Sequence, residues 1–506
     1  MNAEVPATRL GPVPPTPNLT KEGVFPIFRG MRARATALTV VAGLAGVLTY
    51  VHGGAVEPAA AQLTEREERR EPVAYHAEAG ADRGRAEGAA SLDGPARAEG
   101  TTSLGIPVDA SGRPILGIEI PVEDPNGTAL RSFHAALTRA AAGEGQARVL
   151  VYGASHVASD TWTGIVRRAL QTSFGDAGHG FILPVEPWRR YHHMDITVTS
   201  NSRRWETLRA HYGDHDAGEY GLAGIAVRTE RAGAYGRIDT GSHSASRFEL
   251  FYRREPGGGT VDLMLDGVRV QRVRTDGEAG SAYALVTAED APHVFEIRAR
   301  GDGPVTIYGV SVERETPGVI IDTLGINGYR AAGHLLWDEA LHTEHLRRRA
   351  PDLVALAYGT NESGDDDQPI EIYERDLRRV MARLQGAVPT ASCLLIGPSD
   401  RPIVNRDGTI EPRPRTDMVI EVQRRVAGEL GCGFIDMVRY GGGAMHMVEW
   451  AASDPAWAQP DRVHYTLRGY TRFGDVMSRA LLETYEGPIL AVAPPSMPIA
   501  EYIEAL

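Results

Sequence analysis

Residues 149–156 read VLVYGASH, an unbroken apolar run that stops at Gly153 and delivers Ser155 and His156 to the edge of a helical pattern over 161–174. A short run with no polar alternation suits a strand buried on both faces. Glycine breaks the run sharply, so the stretch predicts strand, tight turn and helix in succession. Similar apolar runs recur at 319–322, 353–358, 394–396 and 434–435, and helical patterns fall between or beside them at 331–348, 369–384 and 418–430. Strands alternating with helices predict an α/β domain whose parallel sheet is covered on both faces. Upstream, Leu130, Phe133 and Leu137 repeat at helical spacing after Asn126 and Thr128, two candidate caps.

Between the first two of these strands the rhythm changes. From about 200 to 315 the chain offers short runs rich in Val, Ile, Tyr, Phe and Thr (RFELFYRR, TVDLMLDG, VRVQRVRT, HVFEIRARG, VTIYGVSVE), separated by turn clusters such as Asp266-Gly267 and Gly301-Asp302-Gly303. That pattern predicts a β-sandwich inserted into the α/β domain.

The N-terminus reads differently. Residues 35–51 carry no charge and follow Arg29, Arg32 and Arg34, so they suit a membrane anchor or the core of a signal peptide, with everything downstream exported. Ala59-Ala60-Ala61 offers a small-residue cleavage site, and nothing in the sequence decides between anchor and signal. The Ala, Glu, Arg and Gly that follow have too little large apolar surface to order themselves. The expected organisation is a cytoplasmic tail with anchor or signal peptide (1–56), a tether (57–110), the first part of the α/β domain (111–199), the inserted sandwich (200–315), the second part (316–490) and a tail (491–506). A formal net charge of −13 over 506 residues disfavours nucleic acid as a partner. Cys393 and Cys432 read as buried free thiols, with one disulfide as the alternative.

In an open parallel sheet, functional groups gather beyond the carboxyl ends of the strands. Ser155 stands there after the first strand, on a turn that exposes a hydroxyl next to helix N–H groups. Gly328 follows the second strand in GING, where a backbone N–H can approach a ligand oxygen, and Asn361 follows the third in GTNE, with an amide to donate. Beyond the last strand comes DRVH, which places Asp461 three residues before His464 on one short loop. A serine needs a base, and the base needs a carboxylate to fix its tautomer. The set therefore reads as a Ser155, His464 and Asp461 triad with an oxyanion hole from the Ser155 and Gly328 N–H groups and the Asn361 amide.

Those four blocks, GASH, GING, GTNE and DRVHYTLRGY, resemble in order the blocks that name the SGNH (GDSL-like) hydrolases. SHVASDTWTG, FGDAGHGF and GGGAMHMVEW resemble the branch that includes bacterial peptidoglycan and polysaccharide O-acetylesterases. The resemblance covers about 115–487 and implies a flavodoxin-like three-layer αβα sandwich with a five-stranded parallel sheet. It further implies a carbohydrate-binding-like, jelly-roll-like insert, and a serine esterase acting on an acetylated cell-wall or extracellular glycan. Two positions depart from the family pattern: Ala154 replaces the usual Asp before the nucleophile, and Glu362 replaces the Asp after Asn361.

Each block alone has a blander reading. Serine at a strand-to-helix turn caps helices, and glycine or asparagine after a strand commonly makes a turn. Their order is what argues for chemistry. His192 with His193, His211 with His215, and His342 with His345 lack the carboxylate or cysteine company of a metal site, so no metal is expected, and no cofactor motif is present. The run Asp365-Asp366-Asp367 reads as a solvated acidic loop, Trp450 as either a sugar-closing side chain or a plug, and Tyr252 and Tyr308 as β-formers. His156 suits either substrate contact or packing. Two rivals to the esterase remain, an O-acetyltransferase using the same triad and a non-catalytic glycan-binding envelope protein. Oligomeric state is not legible.

Overall fold

The computed structural model describes residues 120–497, apart from 212, 213 and 215. The tail, apolar segment and tether expected before residue 111 lie outside the described residues. Among the described residues no helix is long and apolar enough to cross a membrane.

Five parallel strands form the central sheet: β1 (Gln146–Gly153), β2 (Gly318–Gly325), β3 (Leu353–Ala357), β4 (Ser392–Ile396) and β5 (Gly433–Ile435). Their order is β2-β1-β3-β4-β5, the doubly wound arrangement in which the chain reverses direction beside β1. The helices are α1 (Arg131–Ala141), α2 (Ser155–Ala158), α3 (Thr161–Phe174), α4 (Glu339–Arg349), α5 (Ile370–Ala387), α6 (Pro414–Leu430), α7 (Met437–Tyr440), α8 (His446–Ala452) and α9 (Leu467–Leu482).

Alternate strand residues feed opposite layers. Val149 and Val151 of β1 pack with Phe133 of α1, Leu170 of α3 and Phe473 of α9, whereas Leu150 and Tyr152 pack with Leu346 of α4, Val380 of α5 and Val419 of α6. Both faces need apolar residues, which explains why the strands read as continuous apolar runs. Helix α1 buries Phe133, Ala136, Leu137 and Ala140 on one stripe. Its N-cap is Leu130 with no side-chain bond, so Asn126 and Thr128 do not serve as the expected caps.

Chain between β1 and β2 builds the insert. One sheet runs Gly280–Ala291, Ala245–Arg254, Val305–Glu313, Ile225–Thr229 and Glu206–Arg209, and Gly178–Ile182 also pairs with Val305–Glu313. The other runs Thr197–Ser200, Tyr235–Asp239, Val294–Ala299, Thr260–Leu265 and Val268–Arg274. Phe248 stacks on Phe295 between them, with ring centroids 5.1 Å apart. Antiparallel pairing thus begins at Gly178, upstream of the expected boundary near 200, because the two glycines of GHGF let the strand lie close to its neighbours, Gly178 against Glu313 and Gly180 against Ile321. Tyr252 and Tyr308 are buried within the insert and at its contact with the α/β domain, as β-formers.

Cys393 and Cys432 form a disulfide. The free-thiol reading is therefore corrected. Leu394 pairs with Gly433, so the preceding residues of the two parallel strands face each other and bring the sulfurs together. Sequence spacing of 39 residues gives no hint of this adjacency.

Candidate active site

Strand register sets the stage. Gly153 pairs with both Gly325 and Ala357, so the ends of β2, β1 and β3 are level and their following loops converge. Gly153 has to be glycine: a Cβ there would lie 2.3 Å from Val157 Cγ2 and 2.8 Å from the Ala357 carbonyl oxygen. The chain can therefore turn at once into α2, whose first residue is Ser155.

The Ser155 hydroxyl lies 2.8 Å from His464 Nε2, across 309 residues of sequence. His464 Nδ1 lies 2.7 Å from Asp461 Oδ2 and donates to it, which leaves Nε2 to accept the serine proton. Asp461 also holds the loop, its Oδ1 accepting from the backbone N–H of Val463 at 2.9 Å and of His464 at 3.0 Å. Partial burial pushes the Asp461 carboxyl up, but the bond from His464, its charge and the two N–H donors outweigh burial and hold it at about 2. Arg462 adopts φ +58°, a left-handed turn that lets the aspartate reach back over its own loop. The structure thus brings together the three predicted triad residues.

Asn361 sits at the end of β3 and donates its amide to the Tyr329 carbonyl oxygen at 2.9 Å, tying its loop to the one that carries Gly328. An asparagine amide has two N–H bonds, so one is left to donate elsewhere. Gly328 has φ +71°, and a Cβ on it would meet nothing within 4 Å. Left-handed backbone, rather than lack of room, is what glycine supplies there.

Both departures from the family pattern acquire a reason. Glu362 is buried, and its carboxylate accepts from Ala331 N at 2.8 Å and Gly359 N at 3.0 Å, spanning two loops with its extra methylene. Ala154 is packed in the apolar core, and its carbonyl oxygen accepts from Val157 N at 3.0 Å and Ala158 N at 2.9 Å, so the turn is held by backbone.

His156 is buried beneath the triad, between Ser399 and Tyr470, and not toward open space. Burial, and then the charge of His464, lower it to about 3. Trp450 is buried against Tyr440, His446 and Tyr465, which makes it a plug and not a closing side chain. Asp365 and Asp366 are ion-paired with Arg330 and Arg413. His342 and His345 are buried, bonded to Tyr152 and Ser281. His215 lies outside the described residues.

Among the described residues one group has metal-ligand types close together: Asp160, His179 and His193, with ligand atoms within 4.8 Å of one another. In the sequence His179 stands within FGDAGHGF and in none of the histidine pairs weighed as ligands. Both Asp160 oxygens are engaged by Arg167, at 3.2 and 2.8 Å, and further bonds come from Thr163, Thr323 and Met194 N. A buried guanidinium at that distance opposes a divalent cation and suits a hydrogen-bonded hub that fastens residues 193–195 to α3.

Residues 290–472 match the GDSL-like lipase/acylhydrolase family. The chain carries a GDSL-like acylhydrolase domain. The matched part of this hydrolase domain includes Gly328, Asn361, Asp461 and His464, while Ser155 lies upstream, across the insert. A solved structure of a peptidoglycan O-acetylesterase is 25% identical, with a TM-score of 0.58, and the match covers 70% of this chain and 96% of that one. A family two carbohydrate esterase from Cellvibrio japonicus is 11% identical with a TM-score of 0.23, over 57% of this chain and 97% of that one, a likeness too slight to argue from. No curated protein matches the sequence. By domain family and fold the hydrolase is a carboxylic ester hydrolase of the SGNH type.

Proposed function

We propose that the protein is an exported esterase that removes O-acetyl groups from a cell-wall or extracellular glycan through an acyl-enzyme on Ser155. The observation that carries this reading is the continuous hydrogen-bonded line from Asp461 through His464 to the Ser155 hydroxyl. His464 takes the serine proton as Oγ attacks the acyl carbonyl, and Asp461 steadies the imidazolium that forms. The Ser155 and Gly328 N–H groups and the second Asn361 N–H receive the oxyanion, each donor contributing about 3–4 kcal/mol to the transition state. Collapse expels the sugar hydroxyl with the proton from His464, and water, activated by the same imidazole, then releases acetate.

Substrate class rests on the likeness to the peptidoglycan O-acetylesterase. Export is supported by the uncharged segment at 35–51 behind its arginines, and by a buried disulfide of a kind that persists in oxidising compartments. Acetate release from O-acetylated peptidoglycan, measured with and without an acceptor sugar, tests the reading. Hydrolysis abolished in Ser155→Ala supports it. Undiminished release by that variant refutes the triad, and transfer outrunning release replaces the esterase with a transferase.

A further inference from the structure

Four segments carry the proposed triad and oxyanion groups, after β1, β2 and β3 and before α9, and one buried hydroxyl touches three of them, all but the one that carries Gly328. Ser399 follows β4, is fully buried, and has Oγ at 3.1 Å from His156 Nε2, 3.3 Å from the Val463 carbonyl oxygen and 3.3 Å from Thr360 Oγ1. His156 adjoins the nucleophile, Val463 adjoins His464 and Thr360 adjoins Asn361. The Ser399 N–H adds a bond to Thr360 Oγ1 at 3.2 Å. On its other side His156 Nδ1 lies 2.9 Å from the hydroxyl of Tyr470, in α9.

Direction follows from donor counting. A carbonyl only accepts, so Ser399 Oγ–H donates to Val463 O. His156 Nε2–H then donates to Ser399 Oγ, and Nδ1, left without a proton, accepts from the Tyr470 hydroxyl. This order satisfies every contact with neutral groups, and burial keeps His156 neutral. The consequence falls on one peptide unit. Val463 O is held by Ser399 and the His464 N–H is held by Asp461 Oδ1, so the peptide bond that carries the base is pinned from both edges.

We infer that Ser399 and His156 are positioning residues, a buried Tyr470–His156–Ser399 hydrogen-bond chain that fixes the peptide before His464 so that its imidazole stays aligned on Ser155. The inference rests on the proposed triad. It assigns these residues no contact with substrate. Loosening that peptide by an ångström moves Nε2 off the serine hydroxyl and costs about 10- to 100-fold in kcat, with ground-state binding little changed.

Variants Ser399→Ala, His156→Phe and His156→Gln of the full chain test it on a chromogenic acetate ester, with melting temperatures recorded. Phenylalanine keeps the ring volume but neither bond, whereas glutamine keeps one donor and one acceptor about as far apart as the imidazole nitrogens. The expected result is a kcat lowered at least about tenfold in Ser399→Ala and His156→Phe with KM within about twofold, and substantial recovery in His156→Gln. The double variant should lose no more than the worse single, because both cut one chain. Full kcat in both single variants, additive losses, or a glutamine as damaged as the phenylalanine overturns the inference while leaving the triad intact, provided Ser155→Ala is inactive. An active Ser155→Ala overturns both readings. Should Ser399→Ala not fold, the comparison of phenylalanine and glutamine at 156 decides alone.

Discussion

Acidification should weaken this protein between pH 7.5 and 5.5, and the size of the effect can be worked from four buried histidines. Burial is the leading cause that lowers His156, His342 and His345 to about 3 and His446 to about 4. In the unfolded chain each titrates near 6.5. Below 6.5 the unfolded state binds protons that the folded state refuses, so stability present at pH 7.5 is lost as pH falls through the window from 6.5 toward 3 or 4. At pH 5.5 the loss is about 1.4 kcal/mol for each histidine, roughly 5–6 kcal/mol for the four. Asp475 works the other way. Its burial raises it to about 6 against the bonds from Ser496, so its folded form binds a proton that the unfolded form releases, and it returns about 0.8 kcal/mol by pH 5.5. For these five groups the net loss of roughly 4–5 kcal/mol is a large part of the 5–15 kcal/mol typical of a domain; His179 and His334, lowered by burial, add to it, and Asp352, Glu362 and Asp400, raised by burial, offset it. Urea unfolding at a series of pH values measures it, and the slope between pH 6.5 and 5 should correspond to about three net protons. Stability that is flat or rising over that interval would refute the claim that these rings are buried neutral.

Other perturbations address the site and the staple. Asp461→Asn should lower kcat on a small acetate ester by about 10³- to 10⁴-fold, since the amide presents the wrong hydrogen to His464 Nδ1; steady-state kinetics with KM largely retained is the check. Asn361→Ala should cost about 10²- to 10³-fold in kcat, and more than a donor alone if the Tyr329 tie to the Gly328 loop also matters, which thermal unfolding of the variant would reveal. Reducing the Cys393–Cys432 bond, or replacing both residues by serine, should destabilise the protein by about 2–4 kcal/mol, in keeping with a closed loop of 39 residues; an unchanged unfolding midpoint in reductant would count against that bond as a staple.

The parts of the fold that were legible were those where one physical requirement governs several neighbouring residues. A strand buried on both faces needs a run of apolar residues, so β1 to β5 stood out, and the order of the blocks after them carried Ser155, Gly328, Asn361, Asp461 and His464. The start of the insert was missed because Gly178–Ile182 reads as a glycine-rich loop. Its glycines are needed there for close approach: a Cβ on Gly178 would lie 2.5 Å from Glu313 Cα, and one on Gly180 would lie 2.7 Å from the Ile321 carbonyl oxygen. The disulfide stands only as the alternative in the sequence for want of register, which lives in pairing between strands and not in spacing along the chain.

Ser399 shows where such reading gives out. It lies three residues beyond β4, in the region where topology says that functional groups collect, so its location was available from the apolar run alone. Nothing local marks it, because its partners are 243, 64 and 39 residues away and each contact is one or two hydrogen bonds. A residue that acts on chemistry by donating directly to a reacting group belongs to a small set of types at recognisable places. A residue that acts by holding another's peptide can be any buried donor, and only the donor inventory of the folded loops reveals that this hydroxyl, unlike the many serines that cap or turn, closes the last open edge of the peptide that presents the base.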